Sequence, residues 1–140
     1  MKIAIIGKFT SEEMGYHISY TLKKMGNEVY NIEYGPKIYA DKKFLRKYRI
    51  YKRKLFEILN SSNKNMRLIM FKNTIKRIKE IGHIDLIITT YDYLTYDELY
   101  EIKKYSKSKI VMWFPDAVSN LGRAYFMTAG YDFIFFKDPY

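Results

Sequence analysis

A doubly wound α/β domain with about five parallel strands is the fold that the 140-residue sequence predicts. Three observations carry that reading. Short apolar runs recur along the chain, each closed by glycine or a polar turn. Segments with helical spacing lie between them. The first strand, helix and strand fit within about 35 residues, the size of a parallel βαβ unit.

The elements follow in order. Lys2-Ile-Ala-Ile-Ile-Gly7 is a buried strand. Thr10-Ser-Glu-Glu13 has the pattern of a capping box, with Thr10 as the cap and Glu13 reaching back. Met14, Ile18, Leu22 and Met25 continue at helical spacing, and Gly26-Asn27 ends the helix. Val29 to Ile32 is a second strand, closed by Gly35-Pro36. Two basic helices are expected next. The first carries Phe44, Tyr48, Tyr51, Leu55 and Ile58 on one stripe, and Asn60 to Asn65 breaks the pattern. The second carries Leu68, Phe71, Ile75 and Ile78 and stops at Gly82. The βα rhythm then resumes: strand Ile84 to Thr90, helix Thr95 to Tyr105, strand Lys109 to Phe114, short helix Ser119 to Thr128, strand Tyr131 to Phe136. One Rossmann-like domain over 1–140 results, with a basic helical pair (37–81) between strands 2 and 3.

Charge is concentrated in that insertion. Of the formal net +10, the section from Lys37 to Lys79 contributes fifteen Lys and Arg against Asp41 and Glu57, a net of +13. The remainder holds ten basic and thirteen acidic residues, a net of −3. An anionic partner suits such a section, whether lipid head groups, nucleic acid or a phosphorylated substrate; a plain solvated helical face fits it equally. Arg46, Arg49, Lys52, Arg53 and Lys54 are the candidate contacts. With no cysteine, disulfides and thiolate metal sites are excluded. The apolar run at Met1–Gly7 is too short for a signal peptide, and no stretch reaches the roughly 20 apolar residues of a membrane span. A cytoplasmic protein is expected, at most peripheral at the inner face of the membrane.

Ligands of doubly wound sheets bind at the carboxyl ends of the strands. Here those ends read Gly7-Lys-Phe-Thr10, Tyr34-Gly35, Thr89-Thr-Tyr-Asp92, Trp113-Phe-Pro-Asp116 and Lys137-Asp-Pro139. Aromatic rings beside carboxylates suit a carbohydrate: the ring covers C–H faces and the acid accepts hydroxyl hydrogen bonds. Pro115 stops the ladder and stiffens the exit toward Asp116, the alternative being that Trp113 is core and Asp116 a helix cap. The chain has neither G-x-G-x-x-G nor G-x-x-x-x-G-K-[ST], so the dinucleotide and P-loop readings fail at the motif. Gly7-Lys8-Phe9 also lacks the paired acids of a receiver domain.

The opening strand with its Gly15-Tyr16-His17 helix, the Trp113-Phe-Pro-Asp116 exit and the closing Tyr131-Asp-Phe-Ile-Phe-Phe-Lys-Asp138 resemble the N-terminal half of CgeB-like glycosyltransferases. That resemblance spans essentially the whole chain. It implies the GT-B architecture of two facing Rossmann-like domains, of which this is the acceptor-side one. A C-terminal GT-B domain, in the same or a separate chain, would then grip the nucleotide-diphosphate sugar donor, and this domain alone would bind no cofactor and turn over nothing. Phe9, Thr10, Tyr91, Asp92, Trp113 and Asp138 are the expected contacts to a carbohydrate or protein acceptor. Some inverting GT-B enzymes place a base histidine after the first strand, so the resemblance makes His17 and Asp116 the candidate base and orienter. The match departs from the family pattern there, because a helix capped by Thr10 puts His17 nearly two turns inside. His83, in a loop before a strand, is expected to be structural, and no zinc site is expected. Two rivals stand beside the enzyme reading. One is a binding module that holds nucleic acid or another polyanion through the basic section, with nucleic acid the lesser choice. The other is an inactive partner of a separate catalytic chain.

Overall fold

The computed structural model describes residues 1–34, 64–91, 94–115 and 130–136, and the side chains of 64–70 are not among those described. Strands β1 (Lys2–Gly7), β2 (Glu28–Glu33), β3 (Leu86–Thr90), β4 (Lys109–Phe114) and β5 (Phe133–Phe136) form one sheet in the order β2-β1-β3-β4-β5. Every neighbouring pair is parallel. Helices α1 (Met14–Lys24), α2 (Lys64–Ile81) and α3 (Tyr96–Tyr105) complete the described elements. The architecture is the α/β, doubly wound one that the sequence predicts, in the strand order whose switch point lies between β1 and β3.

Burial explains why the strands were easy to read. From Ile3 to Gly7, β1 is buried at every position, as befits a central parallel strand covered on both faces. One face packs Ala4, Ile6, Ile87, Ile110, Met112 and Phe114 against Phe71 and Ile78 of α2 and Leu99 and Ile102 of α3. The other packs Ile3, Ile5 and Ile88 beneath Ile18 and Leu22 of α1. Alternation along each strand thus sorts side chains between an α2–α3 layer and an α1 layer.

Several boundaries differ from the sequence reading. Helix α1 begins at Met14, and its N-cap is Glu13, with no side-chain capping bond; Thr10 instead accepts the Glu13 N–H through its own carbonyl, at 2.9 Å, to close a turn. The capping box expected at Thr10 is therefore not formed. Gly15 decides the geometry: a Cβ there would sit 2.5 Å from the Lys8 carbonyl, so the chain folds back on itself just where the helix starts. This close approach buries Gly15 and Ser19 and leaves Ile18 and Leu22 half-buried, while Met25, expected on the apolar stripe, is exposed. A true capping box forms at Thr95, whose hydroxyl takes the Glu98 N–H while Glu98 takes the Thr95 N–H at 2.7 Å. Strand β3 starts at Leu86 because Asp85 is occupied with Lys2: its N–H reaches the Lys2 carbonyl, and its carboxylate accepts the Lys2 N–H at 2.7 Å. Strand β5 likewise starts at Phe133, after Asp132 has taken the Ile110 N–H on its carboxylate at 2.8 Å.

Helix α2 realises the second basic helix, with Phe71, Thr74 and Ile78 buried and Gly82 at φ 76° just past its end. Its described part runs from Lys64, so it includes the end of the stretch expected to break the pattern. The first basic helix, with Arg46, Arg49, Lys52, Arg53 and Lys54, lies outside the described residues, as does the helix expected from Ser119 to Thr128. Among the described residues no helix is long and apolar enough to cross a membrane.

Candidate functional site

Parallel pairing brings the strand exits to a single edge. Register aligns Glu33 with Gly7, Ile6 with Thr89, Thr90 with Trp113, and Trp113 with Phe135. The next residues on β2 and β3 stitch the edge together: the Tyr34 N–H donates to the Gly7 carbonyl at 3.0 Å, and the Tyr91 N–H to the Trp113 carbonyl at 3.1 Å. Phe9, Thr10, Tyr91 and Trp113, four of the expected acceptor contacts, therefore share one rim. The other two, Asp92 and Asp138, lie outside the described residues.

The four rim residues are not equivalent. Thr10 is exposed at the tip of the β1–α1 turn. Phe9 is half-buried on the Ile3, Ile5 and Ile88 cluster, and its ring lies against Gly15, so much of it is spent on packing. Tyr91 stands at φ 65°, a left-handed conformation that costs a bulky residue roughly 1–2 kcal/mol. This turn carries the Tyr91 ring to Phe114, with an edge-to-face contact at 5.9 Å, and directs its N–H to Trp113. Strain of this kind is held only where the surroundings over-determine it, which singles out the β3 exit at the switch point. Trp113 is 43% exposed beside Phe135, with ring centroids 5.9 Å apart. It is therefore not a core residue. Pro115 is buried, and β4 ends one residue before it, as the sequence suggests.

His17 falls one turn into α1, nearer the helix start than a Thr10 cap would put it. It is exposed, on the opposite side from the buried Gly15 and Ser19, and its ring meets the edge of Tyr16 at 5.5 Å. Its expected partner, Asp116, lies outside the described residues. His83 is exposed at the far end of the sheet, where Nε2 contacts Asp85 Oδ1 at 3.0 Å, in keeping with a structural role. Among the described residues no group of three or more acidic or histidine side chains is placed to hold a metal ion.

Among the described residues, the carboxylates whose acidity is displaced belong to that far end. The Lys2 backbone N–H, then His83, holds Asp85 below the usual aspartate range. Burial works against the charge of Asp132, yet the Ile110 N–H with Lys109 and Lys103 holds it low as well. These are clamps on the strand starts, remote from the rim.

Sequence reasoning missed one concavity. A groove of about 750 Å³ runs between α2 and α3, floored by Phe71 and Ile75 and edged by Lys72, Lys76 and Lys79 together with Glu80 and Glu101. Lys79 Nζ rests 3.8 Å over the Tyr105 ring. The period of the lysines is visible in the sequence, but their pairing with α3 is not, since it depends on how two helices lie side by side. No family model, no curated protein and no solved structure matches the chain.

Proposed function

We propose that this chain is the acceptor-side, N-terminal domain of a nucleotide-sugar-dependent GT-B glycosyltransferase, inactive without a C-terminal domain that binds the donor. One observation carries the reading. An all-parallel sheet in the order β2-β1-β3-β4-β5 sets a strained tyrosine, Tyr91, and a half-exposed tryptophan, Trp113, on the same strand-exit rim. Flat rings at such an edge suit the C–H face of a sugar. In this reading Trp113 shelves the acceptor, Tyr91 bounds it from the other face of the rim, where its ring packs on Phe114, Thr10 offers it a hydroxyl, and Asp92, Asp116 and Asp138 accept from its hydroxyl groups. The donor, a nucleotide-diphosphate sugar, belongs to the second domain, in the same or a separate chain. Where the reaction inverts, a base takes the proton of the attacking acceptor hydroxyl as the nucleoside diphosphate departs. The exposed place of His17 adds nothing to its candidacy for that step, so the reading rests on the aromatic residues of the rim. The basic section, as a helical pair, leans the enzyme toward an anionic membrane at the cytoplasmic face or toward a charged polymer acceptor.

The net +13 of the section from Lys37 to Lys79 favours a second reading, a binding module for nucleic acid or another polyanion. One experiment separates the two. Saturation-transfer NMR with a panel of mono- and disaccharides is expected to show contacts that vanish in Trp113→Ala and Tyr91→Ala and persist when Arg49, Lys52, Arg53 and Lys54 are neutralised. A silent panel, together with oligonucleotide binding that falls steeply with salt and is lost on that neutralisation, replaces the first reading with the second.

A further inference from the structure

Aromatic residues at the strand exits pair in two different ways. On the side of α2 and α3 they interlock. The Tyr91 ring meets Phe114 at 5.9 Å with 78° between their planes, and Phe114 meets Phe136 at 6.3 Å and 66°. Tyr34, Tyr91 and Phe136 all pack on the Phe114 cluster, and the Tyr34 hydroxyl reaches from the exit of β2 to Glu98 Oε1 in α3, at 3.4 Å. Edge-to-face rings of this kind fill an interior. That side of the rim is spent on packing.

Trp113 and Phe135 pair otherwise. Met112, Phe114, Ile134 and Phe136 belong to the α2–α3 layer, so alternation turns Trp113 and Phe135 toward the α1 side. Their centroids are 5.9 Å apart, but their planes are only 33° from parallel, so neither ring buries its edge in the other. Both keep open surface, 43% and 49%. Each is the next-to-last residue of its strand, and the register sets them opposite one another, so the pair stands at the rim and bridges β4 and β5. A glycan repeats its apolar C–H face from unit to unit; one ring holds one unit, and two neighbouring rings hold two. We infer, on the glycosyltransferase reading, that the acceptor is a neutral oligosaccharide of at least two units, stacked from the α1 side with one unit on Trp113 and the next on Phe135. A protein hydroxyl would bring no second unit for the second ring. Charge agrees: among the described residues, the one charge on this face of β4 and β5 is Lys109, at the opposite end and held by Asp132 at 3.3 Å. Strand order gives the chain a direction. Phe135 is farther from the switch point than Trp113, so the reacting unit lies on Trp113 and the rest of the glycan runs outward over β5.

The probes are glucose, mannose and galactose, each with its di- and trisaccharides, followed by NMR titration and saturation transfer. A disaccharide of at least one series is expected to bind about tenfold tighter than its monosaccharide, the gain of one more stacked ring. Phe135→Ala should return that disaccharide to the affinity of the monosaccharide and leave the monosaccharide unchanged, whereas Trp113→Ala should lose both. The unaltered chain supplies a second measurement. Saturation should reach both units of the bound disaccharide, and acrylamide quenching of Trp113, the chain's single tryptophan, should fall as the disaccharide is added. Monosaccharide contacts that depend on Trp113 with no gain for any disaccharide, a gain that survives Phe135→Ala, or saturation confined to one unit each overturn the inference and leave the glycosyltransferase reading standing. No contact with any saccharide overturns both.

Discussion

At the end of β1 a Cβ on Gly7 would fall on the Thr90 hydroxyl, so the two central strands approach as closely as their last residues allow. Substituting Gly7→Ala forces one of them to move. It is expected to cost about 1–3 kcal/mol, the usual penalty for adding a methyl group to a packed interior. Urea denaturation checks the size. The cycle with Thr90→Ala checks the cause, since removing the hydroxyl should restore much of the loss in the double variant and add little to it. The need for glycine here was not legible from the sequence, which offers a glycine closing a strand and nothing about what faces it. The same holds for Tyr91. Nothing in Thr89-Thr90-Tyr91 announces a left-handed backbone, because the conformation is imposed by the exit of β3 against β4 and not by local preference. Trp113 is an intermediate case. Period-two alternation assigns its face once β4 is recognised, but its exposure depends on which helix is present above it.

At the scale of single elements, two threonines with similar sequence surroundings behave differently. Both Thr10-Ser-Glu-Glu13 and Thr95-Tyr-Asp-Glu98 satisfy the capping-box pattern, and only the second forms it. Thr95→Ala should therefore lower stability by about 1 kcal/mol. Thr10→Ala should change it by less than about 0.5 kcal/mol, as for an exposed turn residue. Thermal or chemical denaturation of the two variants side by side tests the pair. The pattern misleads at Thr10 because capping needs the helix to begin at the next residue, and the tight fit of Gly15 on Lys8 delays α1 to Met14. Strands β1 and β4, by contrast, keep the bounds expected of them, since each is a continuous apolar run with a sharp stop, Gly7 in one and Pro115 after the other.

Over the whole molecule, the sheet has an edge of strand exits and a fastening edge. Asp85 ties β3 to β1, and Asp132 ties β5 to β4, both at the strand starts. Their folded-state pKa values are depressed, so the stability they add is fully present above the carboxylate range of the unfolded chain, about 3.9, and is lost as the pH falls through the lower folded values. Denaturation midpoints are thus expected to drop on acidification below about pH 5. Asp132→Asn should be the weaker protein at pH 6, and the gap to the parent should close toward pH 3. A gap that widens with acid would contradict the clamp. The order of strands was legible only as a class: alternating elements imply parallel pairing, whereas the place of β1 between β2 and β3 comes from the three-dimensional register.

That central place has a kinetic meaning. Lys2 and Asp85 are 83 positions apart and meet across neighbouring strands, so β1 cannot acquire its second neighbour until a long intervening stretch has been gathered in. Until then a strand with the composition Ile-Ala-Ile-Ile has one bare, adhesive flank. Refolding should accordingly be slow for a domain of this size and sensitive to protein concentration, with aggregation competing against closure of the ring of contacts around residues 2–7.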